Sequence, residues 1–318
     1  MEIEKREVET VACDFCGKSE CSTYILPASY PSEMPERPKV VECKSCGQLY
    51  TPPRPKRDFL TWLYQKYYPQ KKVTGETLRT ALVRNRLIRR LWHWYCGQYL
   101  SEVLRTARGR VLDIGCGTGD LLAELEQNGC EGFGVELNPD SVAQCLKRGL
   151  KVKCGDLEDF HFGENFFDGI MLWHVIEHVP SPGRLLDNCL RMLKPGGSVF
   201  IYSPNARSYL AFLFKEYWFA WHLPFHFTHF TRESISGYAR KHGLLVKKLS
   251  AVTVEFNFSY SLNLYCNLAG GPLMKYLSRK RFFNNVPFRM VIAPVFRLLD
   301  TVFSGKGEYL QVRLEKPA

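Results

Sequence analysis

Residues 111–120 read VLDIGCGTGD, and this stretch decides the fold class of the chain. The apolar run at its start is typical of a buried β-strand, and the segment TGDLLAELEQNG after it predicts a helix. Between strand and helix lie three glycines, Gly115, Gly117 and Gly119. Glycine lets a backbone turn sharply and approach a ligand closely. The spacing G-x-G-x-G differs from the G-x-G-x-x-G of dinucleotide-binding loops, which argues against a nicotinamide enzyme.

The alternation of strands and helices continues along the chain. Further strands are predicted over GFGVEL, LKVKCG, FFDGIMLW, GGSVFIYS, LLVKKLSAV and YLQVRLEK. Two of the helices between them begin with a cap and a proline, at Asn138-Pro139 and Ser181-Pro182. This order predicts an α/β fold in which helices cover both faces of a mainly parallel sheet.

Length and composition fit a folded protein of about two domains. The chain has 318 residues, of which 45% are apolar and 24% charged. This balance excludes disordered, collagen-like and disulfide-miniprotein classes. No apolar run reaches the ~18–20 residues of a membrane-spanning helix, and the charged start MEIEKREVET does not resemble a secretory signal. Together with the twelve cysteines, these features predict a reducing, cytoplasmic location.

Five motifs together resemble class I S-adenosylmethionine-dependent methyltransferases, and in particular the ubiquinone-biosynthesis O-methyltransferases. The motifs are VLDIGCGTGD, GVELNPD, CGDLEDF, FDGIMLWHVIEHVPSP and LKPGGSVFIYSPN. The resemblance implies a Rossmann-like, seven-stranded methyltransferase sheet whose last strand is antiparallel. It also implies S-adenosylmethionine as the cofactor, bound by Asp113, Gly115, Gly117, Gly119, Glu136, Leu137, Asp156 and Leu157. In the family pattern Asp113 and the glycines hold the methionine moiety, Glu136 binds the ribose hydroxyls, and Asp156 and Leu157 face the adenine.

The motif HVIEH (174–178) follows the fourth strand of this domain. A similar pattern on a helix is a metalloprotease signature, but here it lies at a strand end. Related methyltransferases carry Glu at the first position, and some of them bind a divalent metal there. His174 at this position argues against magnesium, which prefers oxygen ligands. A metal at His174, Glu177 and His178 is therefore the alternative, and the favoured interpretation is that Glu177 and His178 cap the loop.

Histidines supply the candidate general bases. The family pattern places His174 near the transferred methyl group, and the segment HLPFHFTHF adds His222, His226 and His229. An imidazole with a pKa near 6.5 is suited to deprotonating a hydroxyl or an amine. The candidate catalytic residues are His174, His226 and His229, in no fixed order. Packing among aromatic side chains is an equally good explanation for any one of them.

Two Cys-x-x-Cys-Gly knuckles lie near the start of the chain, in CDFCG and CKSCG. Their four thiols belong to Cys13, Cys16, Cys43 and Cys46. Paired thiolates at this spacing are typical of a closed, tetrahedral zinc site with a structural role. The alternative is a redox pair or a knuckle that has lost its metal.

We expect three parts in the chain: a zinc ribbon at 1–55, a helical linker or cap at 56–106, and the methyltransferase domain at 107–318. A helical insertion at 253–305 precedes the last strand. The charge is uneven, since residues 51–110 carry 14 basic and 3 acidic side chains, a net charge of +11. The insertion combines apolar and basic residues, which fits a lid, a dimer face or peripheral contact with an anionic membrane.

Three functions fit these observations. The favoured one is methyl transfer to a small-molecule or lipid-linked acceptor, expected at oxygen, because the aromatic segment 205–231 and the apolar insertion favour an enclosed, partly apolar substrate. The second is an RNA methyltransferase that binds RNA through the ribbon and the basic segment, although the ribbon itself is net acidic. The third is a non-catalytic binding module that retains the fold.

Overall fold

The computed structural model describes residues 7–67 and 101–318. The helical spacing over 77–107 predicts one or two helices, and most of that stretch lies outside the described residues. Within the described ranges, no helix has the length and apolar character needed to cross a lipid bilayer.

The N-terminal part consists of short strands and one helix. They are β1 (Val8–Glu9), β2 (Cys21–Ile25), β3 (Val40–Cys43), β4 (Leu49–Tyr50), β5 (Arg54–Pro55) and α1 (Arg57–Tyr67). Strands β2, β3 and β4 pair antiparallel in that order, and β1 pairs with β5. We call residues 7–55 the ribbon.

Strands and helices then alternate as the sequence predicts. The elements are α2 (Ser101–Thr106), β6 (Arg110–Ile114), α3 (Asp120–Gln127), β7 (Glu131–Glu136), α4 (Pro139–Lys147), β8 (Val152–Cys154), β9 (Phe167–Trp173), α5 (Pro182–Met192), β10 (Leu193–Pro204), α6 (Tyr209–Phe214), β11 (Thr228–His229), α7 (Arg232–Lys241) and β12 (Leu245–Val252). The insertion contains α8 (Glu255–Leu268), α9 (Pro272–Arg279) and α10 (Val286–Val302), and β13 (Tyr309–Glu315) follows it. The predicted cap of α4 is present, since the Asn138 side chain accepts hydrogen bonds from the N–H groups of Asp140 and Ser141.

The central sheet has seven strands in the order β12-β13-β10-β9-β6-β7-β8. The pairs from β10 to β8 are parallel, as in Val199 of β10 opposite Ile170 of β9. Strand β13 runs antiparallel between β10 and β12, with Glu315 opposite Ser198. This topology confirms the predicted seven-stranded methyltransferase sheet with an antiparallel last strand.

Helices cover both faces of this sheet. Leu112 and Ile170 belong to a core shared with α5 and α7, whereas Val111 and Met171 belong to a core shared with α2 and α3. Neighbouring residues fall into different cores because successive side chains of a strand point to opposite faces. Because helices cover both faces in the part of the chain that the structure describes, we expect a ligand to reach the sheet at its edges.

The ribbon is joined to the α/β domain by a strand and by the carboxylate of Asp14, which is exposed. Strand β11 pairs antiparallel with β4 and becomes the fourth strand of the ribbon sheet. Asp14 of the ribbon accepts hydrogen bonds from the Ser181 hydroxyl (2.7 Å), the Tyr238 hydroxyl (3.1 Å) and the Gly183 N–H (3.2 Å). The ribbon therefore packs directly against the α/β domain.

The insertion packs over an aromatic core. Trp218 and Trp221 are 1% and 2% exposed, and Phe296 of α10 is buried in the same cluster. The Trp218 indole donates a hydrogen bond to the Glu308 carboxylate at 2.8 Å. Much of the aromatic segment 205–231 thus serves to pack the insertion and the ribbon against the sheet.

We predict that Asp14→Asn lowers the free energy of unfolding by about 1–3 kcal/mol, because three donors from the α/β domain lose a charged acceptor. Urea unfolding measures the change. The exposed Glu20 of the ribbon provides a control, and Glu20→Gln is expected to stay within about 0.5 kcal/mol of the wild type. Equal stability of Asp14→Asn and the wild type would show that the ribbon is held by other contacts.

Candidate active site

The parallel strands of the sheet end at one edge, and the glycine loop and the HVIEH turn follow neighbouring strands there. Strand β6 ends at Ile114 and β9 ends at Trp173. A Cβ atom placed on Gly115 would lie 2.7 Å from Cγ2 of Val175. The loop and the turn are therefore in contact, in the crevice where open α/β sheets bind ligands.

Two glycines of the loop have different surroundings. Gly117 and Gly119 have φ angles of 54° and 77°, in the left-handed region that favours glycine. A Cβ atom on Gly119 would lie 2.4 Å from Leu150 Cδ1 and 2.9 Å from Cys145 Sγ. A Cβ atom on Gly117 would meet nothing within 4 Å. Gly119 is thus required for packing the loop against α4 and Leu150, which precedes β8, whereas Gly117 faces open space.

Asp113 lies under this loop in β6. It is 2% exposed, and its Oδ1 atom has no hydrogen-bond partner among the described residues. Burial raises the pKa of the Asp113 carboxyl to about 8, and the negative charge of Glu136 adds to the rise. A cation beside a buried carboxylate favours its ionised form. The site therefore fits a ligand that brings a positive charge to Asp113.

Glu136 ends β7 beside the glycine loop. Its carboxylate accepts hydrogen bonds from the Gly117 N–H at 2.9 Å and the Asn138 N–H at 2.8 Å. These two bonds fix the carboxylate and leave its remaining lone pairs for a ligand. The next residue, Leu137, is 66% exposed and offers an apolar surface beside the carboxylate.

Asp156 follows β8 at the same edge. The Gly155 N–H donates to the Glu136 carbonyl at 3.0 Å, which ties the two segments together. The Asp156 side chain caps the short helical turn Leu157–Asp159 and accepts from the Glu158 N–H. Leu157 is buried in the main core. The structure thus brings all eight predicted cofactor residues to one edge of the sheet or directly beneath it.

His174 follows β9 with a left-handed backbone (φ 55°), and its N–H donates to the Tyr202 carbonyl at 2.9 Å. Its ring Nδ1 lies 3.1 Å from Oε1 of Glu177. The His174 side chain is 36% exposed, whereas that of Glu177 is 1% exposed. Burial opposes ionisation of Glu177, but the hydrogen bond and charge of His174, with His178, hold its pKa below the usual value. In the neutral imidazole, donation from Nδ1–H to the Glu177 carboxylate would leave the lone pair on Nε2.

Glu177, His178 and His226 form a cluster that can hold a metal ion, with one ligand atom from each within 4.8 Å of the others. His226 Nδ1 lies 2.9 Å from the Ala220 carbonyl. His178 Nδ1 lies 3.0 Å from the Phe225 carbonyl and 2.9 Å from the Tyr64 hydroxyl. Such bonds are typical of metal-binding histidines, which donate their second N–H to an oxygen.

Two further observations concern this cluster. The Oε2 atom of Glu177 is buried without a hydrogen-bond partner among the described residues. The sequence-based alternative placed His174 in the ligand group, but the cluster contains His226 instead. The His174 ring is not in the cluster and lies edge-on to Tyr202 and Tyr309, with ring centroids 5.1 Å apart in each pair.

The other two candidate bases are buried. His226 and His229 are 6% and 4% exposed, and His229 Nε2 lies 2.9 Å from the Thr51 hydroxyl of the ribbon. The His229 carbonyl accepts from the Gln48 amide at 3.1 Å. Burial lowers the pKa of His229 to about 3 and that of His226 well below its usual value. Both rings are therefore neutral, and His229 helps to join the ribbon to the α/β domain.

The four knuckle thiols also lie together, as the sequence predicts. Cys13 Sγ is 3.5 Å from Cys46 Sγ, Cys16 Sγ is 3.5 Å from Cys43 Sγ, and all four atoms lie within 4.8 Å of one another. Tetrahedral zinc with Zn–S bonds of about 2.3 Å separates its sulfur ligands by about 3.8 Å. Burial raises the pKa of the Cys46 thiol to about 11. The donor set fits a metal, since a cation is needed to hold four thiolates this close.

Some of these contacts were not predicted. The motif HVIEH identified His174 and Glu177 as candidate site residues. It did not predict the hydrogen bond between them, which depends on the left-handed backbone after β9. The contact of Val175 with Gly115 and the approach of His226 to Glu177 depend on long-range packing. The position of Tyr202 and Tyr309 beside His174 was not predicted either, because the sequence indicated only that each lies in a strand. Their rings are stacked, with centroids 4.7 Å apart.

Comparison with known proteins adds the family. The methyltransferase domain family matches residues 83–249. A ubiquinone biosynthesis O-methyltransferase of Pseudomonas fluorescens is 31% identical over 168 residues, which are 49% of this chain and 72% of the relative. One from Coxiella burnetii is 30% identical over 123 residues, which are 37% of this chain and 52% of that relative. The chain therefore spans between about half and about three quarters of these relatives.

Solved structures show distant similarity. A methyltransferase from Archaeoglobus fulgidus is 20% identical with a TM-score of 0.45, and the match covers 81% of this chain and 100% of that one. A possible histamine N-methyltransferase from Thermotoga maritima is 21% identical with a TM-score of 0.46, covering 73% of this chain and 97% of that one. The family match spans more than half of the chain and includes the glycine loop, Glu136 and the HVIEH turn. The chain therefore belongs to the methyltransferase domain family, and the protein is an S-adenosylmethionine-dependent methyltransferase.

Proposed function

We propose that the crevice at the carboxyl edge of the sheet binds S-adenosylmethionine through the eight residues that the family pattern names. The unpaired Oδ1 of Asp113 supports a position near the positively charged amino group of the methionine moiety. Open space at Gly117 leaves room for this moiety. The Glu136 carboxylate, held by two N–H groups, is placed to accept the ribose hydroxyls. The cofactor supplies an activated methyl group on a sulfonium.

The hydrogen bond between His174 and Glu177 is the observation that carries the proposed mechanism. His174 Nε2 would accept the proton of the acceptor hydroxyl, which leaves the acceptor oxygen free to take up the methyl group that the bound cofactor supplies. Glu177 holds the imidazole in the required tautomer and stabilises the imidazolium that forms. His174 is preferred over His226 and His229 because its side chain is the one of the three that is not buried. His226 and His229 have positioning roles in this proposal.

We propose a small-molecule or lipid-linked acceptor that is methylated at oxygen. The relatives named as ubiquinone biosynthesis O-methyltransferases support this class, although they match only part of the chain. Tyr202 and Tyr309 are buried, 4% and 6% exposed, and pack edge-on to the His174 ring, so they position the imidazole rather than contact the acceptor. An RNA acceptor is the second candidate. This candidate is supported by the basic segment 51–110, although residues 68–100 of that segment are not among those that the structure describes.

We further propose that Cys13, Cys16, Cys43 and Cys46 bind one structural zinc ion. A four-sulfur site leaves no open coordination position, so this ion does not take part in methyl transfer. It instead fixes the two knuckles from which Asp14 reaches the α/β domain. A second divalent ion at Glu177, His178 and His226 is favoured by the unpaired Glu177 Oε2 atom, and its two nitrogen ligands suit a transition metal better than magnesium. Such an ion would supply positive charge near the acceptor oxygen.

We predict that Gly117→Ala weakens cofactor binding at least tenfold, because the added methyl group enters the space assigned to the methionine moiety. Titration calorimetry with S-adenosylmethionine measures the affinity. Because the backbone at Gly117 is left-handed, alanine at this position should also lower stability by about 1 kcal/mol. Gly129→Ala is the matched control, because Gly129 also has a left-handed backbone (φ 86°) with nothing within 4 Å of an added Cβ but lies outside the cofactor residues, and it should keep the wild-type affinity. Unchanged affinity in a folded Gly117→Ala variant would refute the position of the cofactor.

We predict that His174→Ala lowers the rate of methyl transfer about 100-fold or more, since general bases contribute about 10²–10⁴-fold. Cofactor affinity should not change. The assay follows isotope-labelled methyl groups from the cofactor into a cell lysate that is separated into RNA, protein, lipid and small-molecule fractions. The wild type is expected to label the lipid or small-molecule fraction. The exposed His161 provides a control variant, His161→Ala, with full activity expected.

Three outcomes of this assay would contradict the proposal. RNase-sensitive label would establish the RNA acceptor. Cofactor binding without any label transfer would favour a non-catalytic module. Full activity of His174→Ala would exclude His174 as the base and leave the cofactor site in place.

We predict two metal ions per chain by elemental analysis, because two separate donor sets are present. Cys43→Ser should remove zinc and lower stability, whereas Cys21→Ser, at the spare cysteine of the ribbon, should retain it. His226→Ala should remove the second ion and leave the zinc. If the analysis finds one zinc ion, and only Cys43→Ser loses it, the second site is excluded. A fully folded protein without metal would exclude both sites.

A further inference from the structure

Helix α10 is apolar on both of its sides. One side carries Ala293 and Phe296, which are 7% and 5% exposed, and Phe296 packs in the aromatic core. The other side carries a stripe of exposed apolar residues at spacings of four, three and four positions, Val291 (75%), Val295 (53%), Leu298 (65%) and Val302 (65%). A surface helix of a globular protein usually carries polar residues on its outer side. The stripe on α10 therefore calls for an apolar partner.

Other exposed apolar side chains of the insertion lie on α9 and in the turn that joins α9 to α10. Leu273 and Tyr276 of α9 are 68% and 57% exposed, and Phe282, in the turn between α9 and α10, is 44% exposed. Exposed apolar patches of this kind mark sites of protein or membrane interaction. We call the exposed apolar residues of α9, α10 and the intervening turn the insertion face.

Between its two ends, the insertion carries charged side chains of positive sign only. Residues 256–299 contain six basic residues and no acidic residue. Three of the basic residues, Arg279, Lys280 and Arg281, are consecutive and exposed beside Phe282. Arg289 is paired with Glu255 at 2.9 Å and does not contribute to this positive surface. The insertion face thus combines exposed apolar side chains with a compact cluster of cations.

We propose that the insertion face docks on an anionic lipid surface. Apolar side chains of such a face enter the boundary between head groups and acyl chains, and adjacent cations contact anionic head groups. Since no helix in the described ranges spans a bilayer, this is contact with one leaflet. The inference does not depend on the identity of the methyl acceptor.

Charge disfavours the two other occupants. A second copy docked face to face would place the Arg279–Arg281 cluster near its own counterpart, and like charges repel. Residues 68–100, which lie outside the described ranges, carry seven basic residues and one acidic residue. That segment has the same sign of charge as the insertion face. An anionic membrane satisfies both the apolar stripe and the cation cluster.

Flotation of the full-length protein with lipid vesicles tests the proposal. We expect the protein to float with phosphatidylcholine vesicles that contain phosphatidylglycerol, and to bind vesicles of phosphatidylcholine alone at least tenfold more weakly. Salt at about 1 M, where charges are screened beyond about 3 Å, should release most of the protein. Methyl transfer in solution should be unaffected by the vesicles when the acceptor is water-soluble.

Two variants separate the apolar and the charged contributions. Val291→Ser with Leu298→Ser removes exposed stripe residues and should weaken vesicle binding at least tenfold. Arg279→Gln, Lys280→Gln and Arg281→Gln together should weaken it about 100-fold, since each cation near an anionic surface contributes about fivefold. The matched control changes one exposed apolar and one exposed basic residue on α4, as Leu146→Ser with Lys147→Gln, and should bind like the wild type.

Other results would overturn the proposal. Absence of flotation with anionic vesicles would exclude lipid as the occupant, as would flotation that survives in both variants. Analytical ultracentrifugation adds a further check. A dimer that dissociates in Val291→Ser with Leu298→Ser, without vesicle binding by the wild type, would assign the face to a second copy of the chain.

Discussion

The structure depends on the parallel pairing of β6 with β7 and β9. Parallel strands end at the same edge, so the glycine loop, Glu136 and His174 meet there although they lie far apart in the sequence. The backbone of the loop then comes so close to its neighbours that a side chain at Gly115 would overlap Val175. The proposed cofactor residues and the proposed base lie at the same edge of the sheet because of this arrangement.

Two buried carboxylates at this edge of the sheet have oxygen atoms that a ligand or an ion can satisfy. Asp113 and Glu177 are both buried, and each has one oxygen without a partner among the described residues. Such groups lower stability unless a ligand or an ion satisfies them. Their environments differ, since burial raises the pKa of Asp113, whereas the imidazole of His174 holds the pKa of Glu177 down. The first fits the cation of the cofactor, and the second fits a base that is held in one tautomer.

The ribbon and the active site are linked through the histidine-rich segment. Strand β11 contributes Thr228 and His229 to the ribbon sheet, and the next turn upstream contributes His226 to the cluster with Glu177. A metal in the cysteine knuckles would therefore stabilise the segment that positions His226. In the proposed mechanism the ribbon supplies no catalytic group and acts on the site through this segment.

Local patterns in the sequence determined the elements and much of the site. The order of strands and helices, the caps at Asn138 and Ser181, the glycine loop and the cysteine knuckles each depend on residues close together in the chain, and the structure contains all of them. Tertiary structure decided which histidine is exposed and which side of α10 is uncovered. His229 is buried because Thr51 and Gln48 of the ribbon reach it across more than 170 residues, and no local pattern encodes such a contact. Likewise, Phe296 and Leu298 are both apolar in the sequence, and only the packing of α10 on the aromatic core buries the first and leaves the second exposed.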